Sequence, residues 1–347
     1  MSLTDIRPPE CPLHMPEQGL TGYACAPVSG ARSRLWRKAA VIGGGAAITV
    51  WLIWLMFDVL SVSGLTQLEW ALLAIFSINI GWIGFAFVSS VAGFLVSLFM
   101  PRSKPAASEA PLTTQTAILF PIYNESVTDV FATVEATAAA LASAAPDRFE
   151  CFILSDTVKP DIALAEEEGF QKLRAALPEG CRVYYRRRTI NLARKAGNID
   201  DFVSRWGGRY DHMLIFDADS YMSADTLIEL ARRMEARPDV GLIQTIPKLI
   251  GGKSLFARAQ QFAGAVYGPV LGRGISFWSQ NEGNYWGHNA IIRTKAFADA
   301  AGLPVMPGRA PFGGHILSHD FVEAALLRRA GWKVCIAPDL GGSYEEG

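Results

Sequence analysis

Two long apolar stretches stand out in the first third of the chain. Residues 39–57 carry no charged side chain, and neither do residues 71–100. A helix needs about 20 such residues to cross the hydrocarbon core of a bilayer. The pattern therefore predicts two transmembrane helices, over residues 38–60 and 66–100. A Pro-rich tail over residues 1–37 precedes them and is expected to be disordered and cytoplasmic.

The pattern changes after a short linker over residues 101–114, which is rich in Pro, Ala and Ser. From residue 115 to residue 347, short apolar runs alternate with longer stretches of helical character. The apolar runs cover residues 117–120, 151–154, 182–185, 213–216 and 240–245. Alternating strands and helices are typical of a mostly parallel sheet with helices on both faces. Residues 115–347 are therefore predicted to form one α/β domain.

The charges beside the apolar stretches predict their orientation. Arg34 and Arg37 precede the first stretch, and Arg102 and Lys104 follow the second, whereas residues 58–69 between them carry only acidic charges. Cytoplasmic ends of transmembrane helices are enriched in Lys and Arg. Both ends of the helical hairpin, and with them the α/β domain, are therefore expected in the cytoplasm.

Composition supports a membrane protein with a cytoplasmic domain. Hydrophobic residues make up 50% of the chain, and the mean hydropathy of +0.20 is high for a wholly soluble protein. The five cysteines are odd in number and lack C-x-x-C spacing. They are therefore expected to be reduced thiols rather than a disulfide framework.

Carboxylates follow three of the predicted strands. Glu125 comes after the first strand, Asp156 after the second, and Asp217 and Asp219 directly after the fourth. Ligands of open α/β sheets gather at the carboxyl ends of the strands. Carboxylate oxygens there suit a Mg²⁺ or Mn²⁺ ion that already holds a diphosphate. A D-x-D on its own is more often a solvated turn or helix cap than a metal site, so the site is inferred from the three strand ends together.

Positively charged side chains between these strands are suited to neutralise the charge of a bound phosphate. Arg186, Arg187, Arg188, Arg194 and Lys195 precede the fourth strand, and Arg and Lys are the side chains that bind diphosphate oxygens. For Arg186 and Arg187 a solvated face explains the pattern equally well.

Other conspicuous residues favour structural roles. His288 and His319 are interpreted as hydrogen-bonded structural residues rather than catalysts. The segment over residues 255–277, with Phe256 and Phe262 among small residues, fits either a helix on the membrane face or ordinary core packing.

Six motifs occur in the order typical of processive glycosyltransferases of family 2. They are Pro121-Ile122-Tyr123-Asn124-Glu125, Ser155-Asp156, Arg188 through Asn191 to Lys195-Ala196-Gly197-Asn198, Asp217-Ala218-Asp219, Gln244-Thr245-Ile246-Pro247 and Ser318-His319-Asp320. The chain resembles this family, and residues 285–293 and 318–325 are most similar to its membrane enzymes of osmoregulated periplasmic glucan synthesis. The resemblance implies a GT-A fold, which is a Rossmann-like and mostly parallel sheet, and UDP-glucose as the donor.

The resemblance also implies a role for each matched residue. Tyr123, Glu125 and Asp156 would surround the uridine, Lys195 the diphosphate, Asp217 and Asp219 the ribose, diphosphate and metal, and Asp320 would be the general base. The chemistry is consistent with this division. An inverting transfer needs a carboxylate to take the acceptor proton and a metal to stabilise the departing UDP.

The implied function is that of a multi-pass enzyme of the bacterial inner membrane, which transfers glucose with inversion onto a growing β-glucan. The expected partners are the lipid bilayer, a glucan acceptor and periplasmic glucan-processing proteins, and no nucleic acid. Two alternatives stay open: a polyprenyl-phosphate sugar transferase with the same donor site, and a non-catalytic UDP-sugar-binding membrane fragment.

One family feature is missing from the sequence. Family members carry a Q-x-x-R-W-type motif and further spans after the base, and neither follows here. The chain is therefore expected to be the N-terminal portion of a longer enzyme, with a domain incomplete at its C-terminal end and no polymerising activity by itself.

Overall fold

The computed structural model describes residues 7–21, 25–26, 35–99, 110–309 and 313–346. The helices are α1 (Leu35–Leu60), α2 (Gln67–Phe99), α3 (Val127–Ala144), α4 (Pro160–Ala176), α5 (Arg194–Trp206), α6 (Ala224–Ala236), α7 (Leu255–Ser279), α8 (Thr294–Ala300) and α9 (His319–Arg329). The strands are β1 (Thr116–Ile122), β2 (Phe149–Ser155), β3 (Val183–Arg187), β4 (His212–Ile215), β5 (Ser220–Met222), β6 (Val240–Thr245), β7 (Lys248–Ile250), β8 (Ala290–Arg293), β9 (Lys333–Ala337) and β10 (Ser343–Glu346).

Helices α1 and α2 form the hairpin that the apolar stretches predict. The backbones approach closely at Gly45, where an added Cβ would lie 3.1 Å from the Cα of Phe85. Phe57 and Trp70 contact each other near the turn, with ring centroids 6.3 Å apart. Both helices are long and apolar enough to cross a membrane. Helix α3 also meets that criterion, but Val134 and other residues on its inner face pack against the sheet.

The chain before α1 differs from the disordered tail expected over residues 1–37. The indole N–H of Trp206 donates to the Pro8 carbonyl at 3.1 Å, and the Cys11 N–H donates to the Arg205 carbonyl at 2.8 Å. Leu13 packs against the core of the domain. Proline disfavours a helix but permits the extended backbone found here. Residues 1–6, 22–24 and 27–34, and most of the linker over residues 101–114, lie outside the described residues.

The main sheet has the strand order β3-β2-β1-β4-β8-β6-β9. Strand β8 is antiparallel to both of its neighbours, and the other pairs are parallel. The predicted α/β class with a mostly parallel sheet is confirmed. The antiparallel strand was not predicted, because its apolar run is short and directly precedes α8. Every residue of β2, β4 and β6 is buried, as expected for strands covered on both faces.

Alternate residues of the strands supply two hydrophobic cores. Ile118 and Phe120 face the core that α3, α4 and α6 cover. Ala117 and Leu119 face the core that α5, α8 and α9 cover. This follows from the two-residue period of a strand. The helices of the second core carry Lys195 and Asp320, so packing on that face fixes where these side chains lie.

Helix α7 joins the domain to the hairpin. Gly274 meets α2 so closely that an added Cβ would lie 1.9 Å from the Ser89 carbonyl oxygen, and Arg273 donates to the Ser97 hydroxyl at 2.8 Å. The N-terminal half of α7 is different, because Leu255 is 88% exposed and Phe256 is 72% exposed. The second half of this helix therefore packs against the hairpin, and the first half leaves large apolar side chains exposed.

Candidate active site

A cavity of about 690 Å³ opens at the carboxyl ends of β1, β2 and β4. The polar and aromatic side chains that line it include Tyr123, Glu125, Asp129, Asp156, Asn191, Arg194, Lys195, Asn198, Asp217, Asp219 and Glu346. Six sequence-predicted residues are among them: Tyr123, Glu125, Asp156, Lys195, Asp217 and Asp219. The volume lies within the range of about 300–1,000 Å³ that is usual for sites of small molecules and cofactors.

The turn after β1 is tied to the turn after β2. The Asn124 N–H donates to the Thr157 hydroxyl at 2.9 Å, and the Asn124 side-chain oxygen accepts from the backbone N–H of Lys159 at 3.1 Å. Asn124 has a φ of 57°, a left-handed conformation that Asn adopts more readily than most residues. This turn leaves Tyr123 half exposed at the cavity wall, where its ring offers a flat apolar surface.

Asp156 is a buried carboxylate held by a planar cation. The Arg188 Nε–H donates to Oδ1 of Asp156 at 2.7 Å, and the Nη2–H donates to Oδ2 at 2.6 Å. Such paired charge-assisted bonds fix orientation as well as charge. The geometry leaves Asp156 at one end of the cavity with its charge already balanced.

The two arginines before Arg188 do not line the cavity. Arg186 is buried, and its guanidinium lies 3.0 Å from an Asp201 oxygen. Burial lowers the pKa of Arg186 to about 10 despite that carboxylate. Arg187 is partly exposed and lies 3.8 Å from Glu167. The interpretation as a solvated face therefore fits Arg187 but not Arg186.

Lys195 lies in the first turn of α5 and contacts the D-x-D. Its ammonium group pairs with Oδ1 of Asp217 and donates to the Gly287 carbonyl at 2.8 Å. Ala193 and Arg194 precede it with φ values of 54° and 51°, which non-glycine residues rarely adopt. This turn brings the cation from β3 across the sheet edge to the carboxylate after β4.

The end of the cavity around the D-x-D is acidic. Partial burial, followed by the charges of Asp219 and Asp217, raises the pKa of Glu125. Burial also raises the pKa of Glu345, where His288 opposes the shift and Asp219 and Asp217 add to it. These carboxylates repel one another, so the cavity favours a ligand that brings positive charge.

The donor set at this end fits a hard divalent cation. Asp217 and Asp219 offer carboxylate oxygens one residue apart, and Mg²⁺ in nucleotide sites typically takes one or two carboxylates together with phosphate oxygens and water. Within the described ranges, no group of three or more His, Cys, Asp and Glu side chains is arranged to hold a metal alone. A cation at this place would therefore share its coordination with a bound phosphate.

Asp320 lies beside the cavity rather than in its lining. It occupies the first turn of α9, and a Cβ added to Gly287 would lie 3.6 Å from its Oδ2 and 3.9 Å from the Lys195 ammonium nitrogen. Gly287 has a φ of 89°, so a larger residue there would be strained as well as crowded. The Asp320 carboxylate and the Lys195 ammonium group therefore both lie close to the Gly287 turn.

Both histidines have protein partners. Nδ1 of His319 lies 3.1 Å from a Glu323 oxygen. Burial alone would lower the pKa of His319, but this carboxylate outweighs it and the pKa is raised. Nδ1 of His288 lies 3.2 Å from the Ser220 hydroxyl. These contacts agree with the structural interpretation of the two residues.

Among the lining residues, Asp129, Asn191, Asn198 and Glu346 were not predicted from the sequence as site residues. Asn191 and Asn198 stand within a motif that was recognised, so their place in that motif was an available signal. Arg194, which was predicted as a cation facing phosphate, does line the cavity. No local sequence pattern marks Glu346 as a site residue. It reaches the cavity because β10 pairs with β5, and its N–H donates to the Asp219 carbonyl at 3.1 Å.

Comparison with known proteins places the chain among sugar-transferring enzymes. Residues 117–300 match the model of Glycosyl transferase family 2. The chain is 55% identical over 347 residues to Glucans biosynthesis glucosyltransferase H of Vibrio cholerae, which covers 98% of this chain and 48% of the relative. It is 56% identical over 319 residues to the protein of the same name from Shewanella baltica, covering 92% and 44%. The chain thus spans about half the length of these curated relatives.

The chain is also similar to parts of two solved structures. S. aureus TarS has a TM-score of 0.41 and 12% identity, and the match covers 67% of this chain and 37% of that one. The mannosyltransferase PcManGT of Pyrobaculum calidifontis, in complex with GDP-Man and Mn²⁺, has a TM-score of 0.43 and 12% identity, with coverage of 75% and 67%. The family resemblance seen in the motifs is confirmed by the family model, which spans more than half of the sequence. The chain belongs to glycosyl transferase family 2.

Proposed function

We propose that this chain is the donor-binding portion of an inner-membrane glucosyltransferase, which transfers glucose from UDP-glucose with inversion onto a growing β-glucan of the osmoregulated periplasmic type. The name that the curated relatives share supports both the sugar and the product. The observation that carries the proposal is the convergence of the six predicted residues on one cavity, with Asp320 beside it.

The two ends of the donor bind at different ends of the cavity. The uracil ring lies against Tyr123, and Asp156 accepts a hydrogen bond from the nucleoside, with Glu125 nearby. The diphosphate extends toward Lys195 and the D-x-D. Partial exposure of Tyr123 and the ion pair of Asp156 with Arg188 support the first assignment. The ammonium group of Lys195 beside Asp217 supports the second.

Asp217 and Asp219 are the residues that hold a Mg²⁺ or Mn²⁺ ion. When bound, this cation neutralises charge on the diphosphate that leaves with the uridine. Lys195 adds a second positive charge on the same side. Burial, followed by the charges of Asp219 and Asp217, raises the pKa values of Glu125 and Glu345. Positive charge from the cation relieves the part that comes from the neighbouring carboxylates.

Asp320 is the general base. Its carboxylate takes the proton of the acceptor hydroxyl, the hydroxyl oxygen forms a bond to C1 of glucose, and the bond from C1 to the UDP oxygen breaks with its electrons moving to UDP. The position of Asp320 across the Gly287 turn from Lys195 supports this role. A base on that side leaves room for the sugar between it and the diphosphate.

Helices α1 and α2 anchor the domain to the bilayer with both ends cytoplasmic, where UDP-glucose is available. The N-terminal half of α7 lies on the membrane face, supported by the exposure of Leu255 and Phe256. In a cysteine-free background, a reagent that does not cross the membrane should label Ser63→Cys from the periplasm and spare Ser108→Cys. The opposite labelling would contradict the orientation.

The function is tested with membranes that contain the full-length gene product. Radiolabelled UDP-glucose should give a product that is insoluble in organic solvent and sensitive to β-glucanase, whereas UDP-galactose and UDP-N-acetylglucosamine should not. Asp320→Asn should abolish the product. Asp161→Asn is the matched control, because Asp161 is also a first-turn aspartate but lies exposed on α4. Label that instead enters an organic-soluble lipid phosphate would contradict the proposal.

A further inference from the structure

Arg188 lies behind the cavity and contacts two groups of the residues that line it. It directly follows β3, and its guanidinium is largely buried. Toward β2, it donates two hydrogen bonds to the Asp156 carboxylate at 2.7 and 2.6 Å. Toward α5, it donates to the Leu192 carbonyl at 3.3 Å, to the Arg194 carbonyl at 3.0 Å and to the Asn191 side-chain oxygen at 3.5 Å.

The turn that Arg188 holds is a strained one. Ala193 and Arg194 both have positive φ values, and such conformations persist only where the surroundings impose them. The turn is also pressed against α5, since a Cβ on Gly197 would lie 2.1 Å from the Leu192 carbonyl oxygen. Asn191 and Arg194 line the cavity, and Lys195 follows immediately. Whatever holds this turn therefore sets the position of the cations that face the diphosphate.

We propose that Arg188 is a positioning residue that joins the nucleoside end of the cavity to its phosphate end. Its guanidinium orients Asp156 and fixes the turn over residues 191–194 in a single unit, so the two parts of the donor are recognised together. This inference rests on the proposed function, because it assumes a nucleoside diphosphate as the ligand.

The plane and number of donors matter here, not only the charge. A guanidinium has five N–H donors in a fixed fork, whereas an ammonium group is a point charge with three. Arg186 already lies 4.0 Å from Asp156, so a positive charge stays close to this carboxylate whatever occupies position 188. If Arg188 only balances charge, Arg188→Lys should bind UDP as tightly as the parent. If Arg188 joins the two ends, Arg188→Lys should bind UDP more weakly.

The test compares Arg188→Lys with Arg187→Lys in the whole chain purified in detergent. Arg187 is the matched control because it is the preceding residue and does not line the cavity. Titrations with UDP in saturating Mn²⁺ should show at least about a tenfold loss of affinity for Arg188→Lys, the size expected for lost hydrogen bonds to charged groups. Arg187→Lys should change the affinity less than about twofold.

Amide hydrogen exchange without nucleotide tests the coupling itself. Exchange over residues 189–194 should accelerate in Arg188→Lys and stay unchanged in Arg187→Lys. Asp156→Asn is a second variant for the case that Arg188→Lys does not fold. It keeps the side-chain shape, and it too should accelerate exchange in this turn, which lies more than 30 residues away in sequence.

The outcomes separate this inference from the function it rests on. Parent protein that fails to bind UDP would contradict the proposed function and this inference with it. Parent that binds UDP while Arg188→Lys binds equally well would overturn the inference alone. The same holds if UDP affinity falls but exchange in the turn does not change in either variant, because Arg188 would then act on Asp156 only.

Discussion

The two ends of the cavity differ in how their charges are balanced. At the nucleoside end, both oxygens of Asp156 accept hydrogen bonds from Arg188, and the carboxylate is buried. At the proposed phosphate end, Asp217 contacts Lys195, while Asp219 is exposed, and partial burial together with the charges of Asp219 and Asp217 raises the pKa of Glu125. The charge of Asp156 is therefore balanced within the protein, whereas the carboxylates around the D-x-D favour added positive charge.

This difference indicates how the donor is recognised. A buried and fully hydrogen-bonded carboxylate is held in one orientation before the ligand arrives, so the nucleoside meets a preformed surface. The acidic end gains most of its favourable energy when a cation accompanies the diphosphate. A divalent cation should therefore strengthen binding of the diphosphate and leave the affinity for uridine unchanged.

The largest effect is expected outside both ends, at Asp320, the proposed general base. In the full-length enzyme, Asp320→Asn should lower turnover by at least about a hundredfold, which is the lower range for general-base catalysis. The affinity for UDP-glucose should change little, because the amide is nearly isosteric and lies across the Gly287 turn from the diphosphate. Steady-state turnover and donor titration on the same preparation measure the two quantities.

Two other results would redirect the assignment of Asp320. Turnover that survives would point to Glu323, the buried carboxylate one turn later on α9. Binding that collapses along with turnover would make Asp320 a structural residue. Asp161→Asn should leave both quantities unchanged.

A smaller effect is expected from a change at the acidic end. Asp219→Ala should weaken UDP binding in Mg²⁺ or Mn²⁺ by about tenfold or more, because the cation loses an oxygen ligand. Without metal, the variant and its parent should bind alike. Asp225→Ala removes an exposed carboxylate six residues later, outside the cavity lining, and should behave as the parent in a calorimetric titration. Equal affinity of all three proteins in saturating metal would contradict the metal assignment.

The smallest effect concerns pH. The pKa values of Glu125 and Glu345 are raised above 4.5 in the fold, so the native state keeps protons that the unfolded chain has lost. The free energy of unfolding of the ligand-free protein should therefore fall as pH rises through the range just above 4.5.

Partial exposure of both side chains limits this effect, and we expect Glu125→Gln to raise the melting temperature near neutral pH by only about 2 °C. Glu168→Gln, an exposed change on α4, is the control in thermal scans from pH 4.5 to 7. We expect the melting temperature of the parent to fall as pH rises. A melting temperature that instead rises with pH only in the parent would contradict the raised pKa of Glu125.

The sequence predicts the positions of the site residues better than their contacts. Glu125, Asp156 and Asp217 each follow a recognisable apolar strand, and parallel strands bring their ends to one edge. The sequence does not predict which cation pairs with which carboxylate. Arg188 and Asp156 lie 32 residues apart, and Lys195 and Asp217 lie 22 apart. Which of several cations meets which carboxylate depends on strand register and on the turn before α5, which no local pattern encodes.

The fold shows the same division between local and long-range information. Hydropathy alone predicts α1 and α2 to within a few residues, because a continuous apolar run has only one favourable environment. Residues 7–21 have no periodic pattern, and their packing depends on contacts with Arg205 and Trp206, which lie nearly 200 residues away. Helix α7 depends on both kinds of information. Its apolar character was visible in the sequence, but its division into an exposed N-terminal half and a packed C-terminal half was not.

The most direct test of the difference between the two ends is one set of calorimetric titrations on the purified chain. Uridine and UDP are each titrated with Mn²⁺ present and with Mn²⁺ removed by chelation. We expect uridine to bind with the same affinity in both conditions, and UDP to bind at least about tenfold more tightly when Mn²⁺ is present. Metal dependence of uridine binding, or UDP affinity that ignores Mn²⁺, would contradict a preformed nucleoside end and a phosphate end completed by a cation.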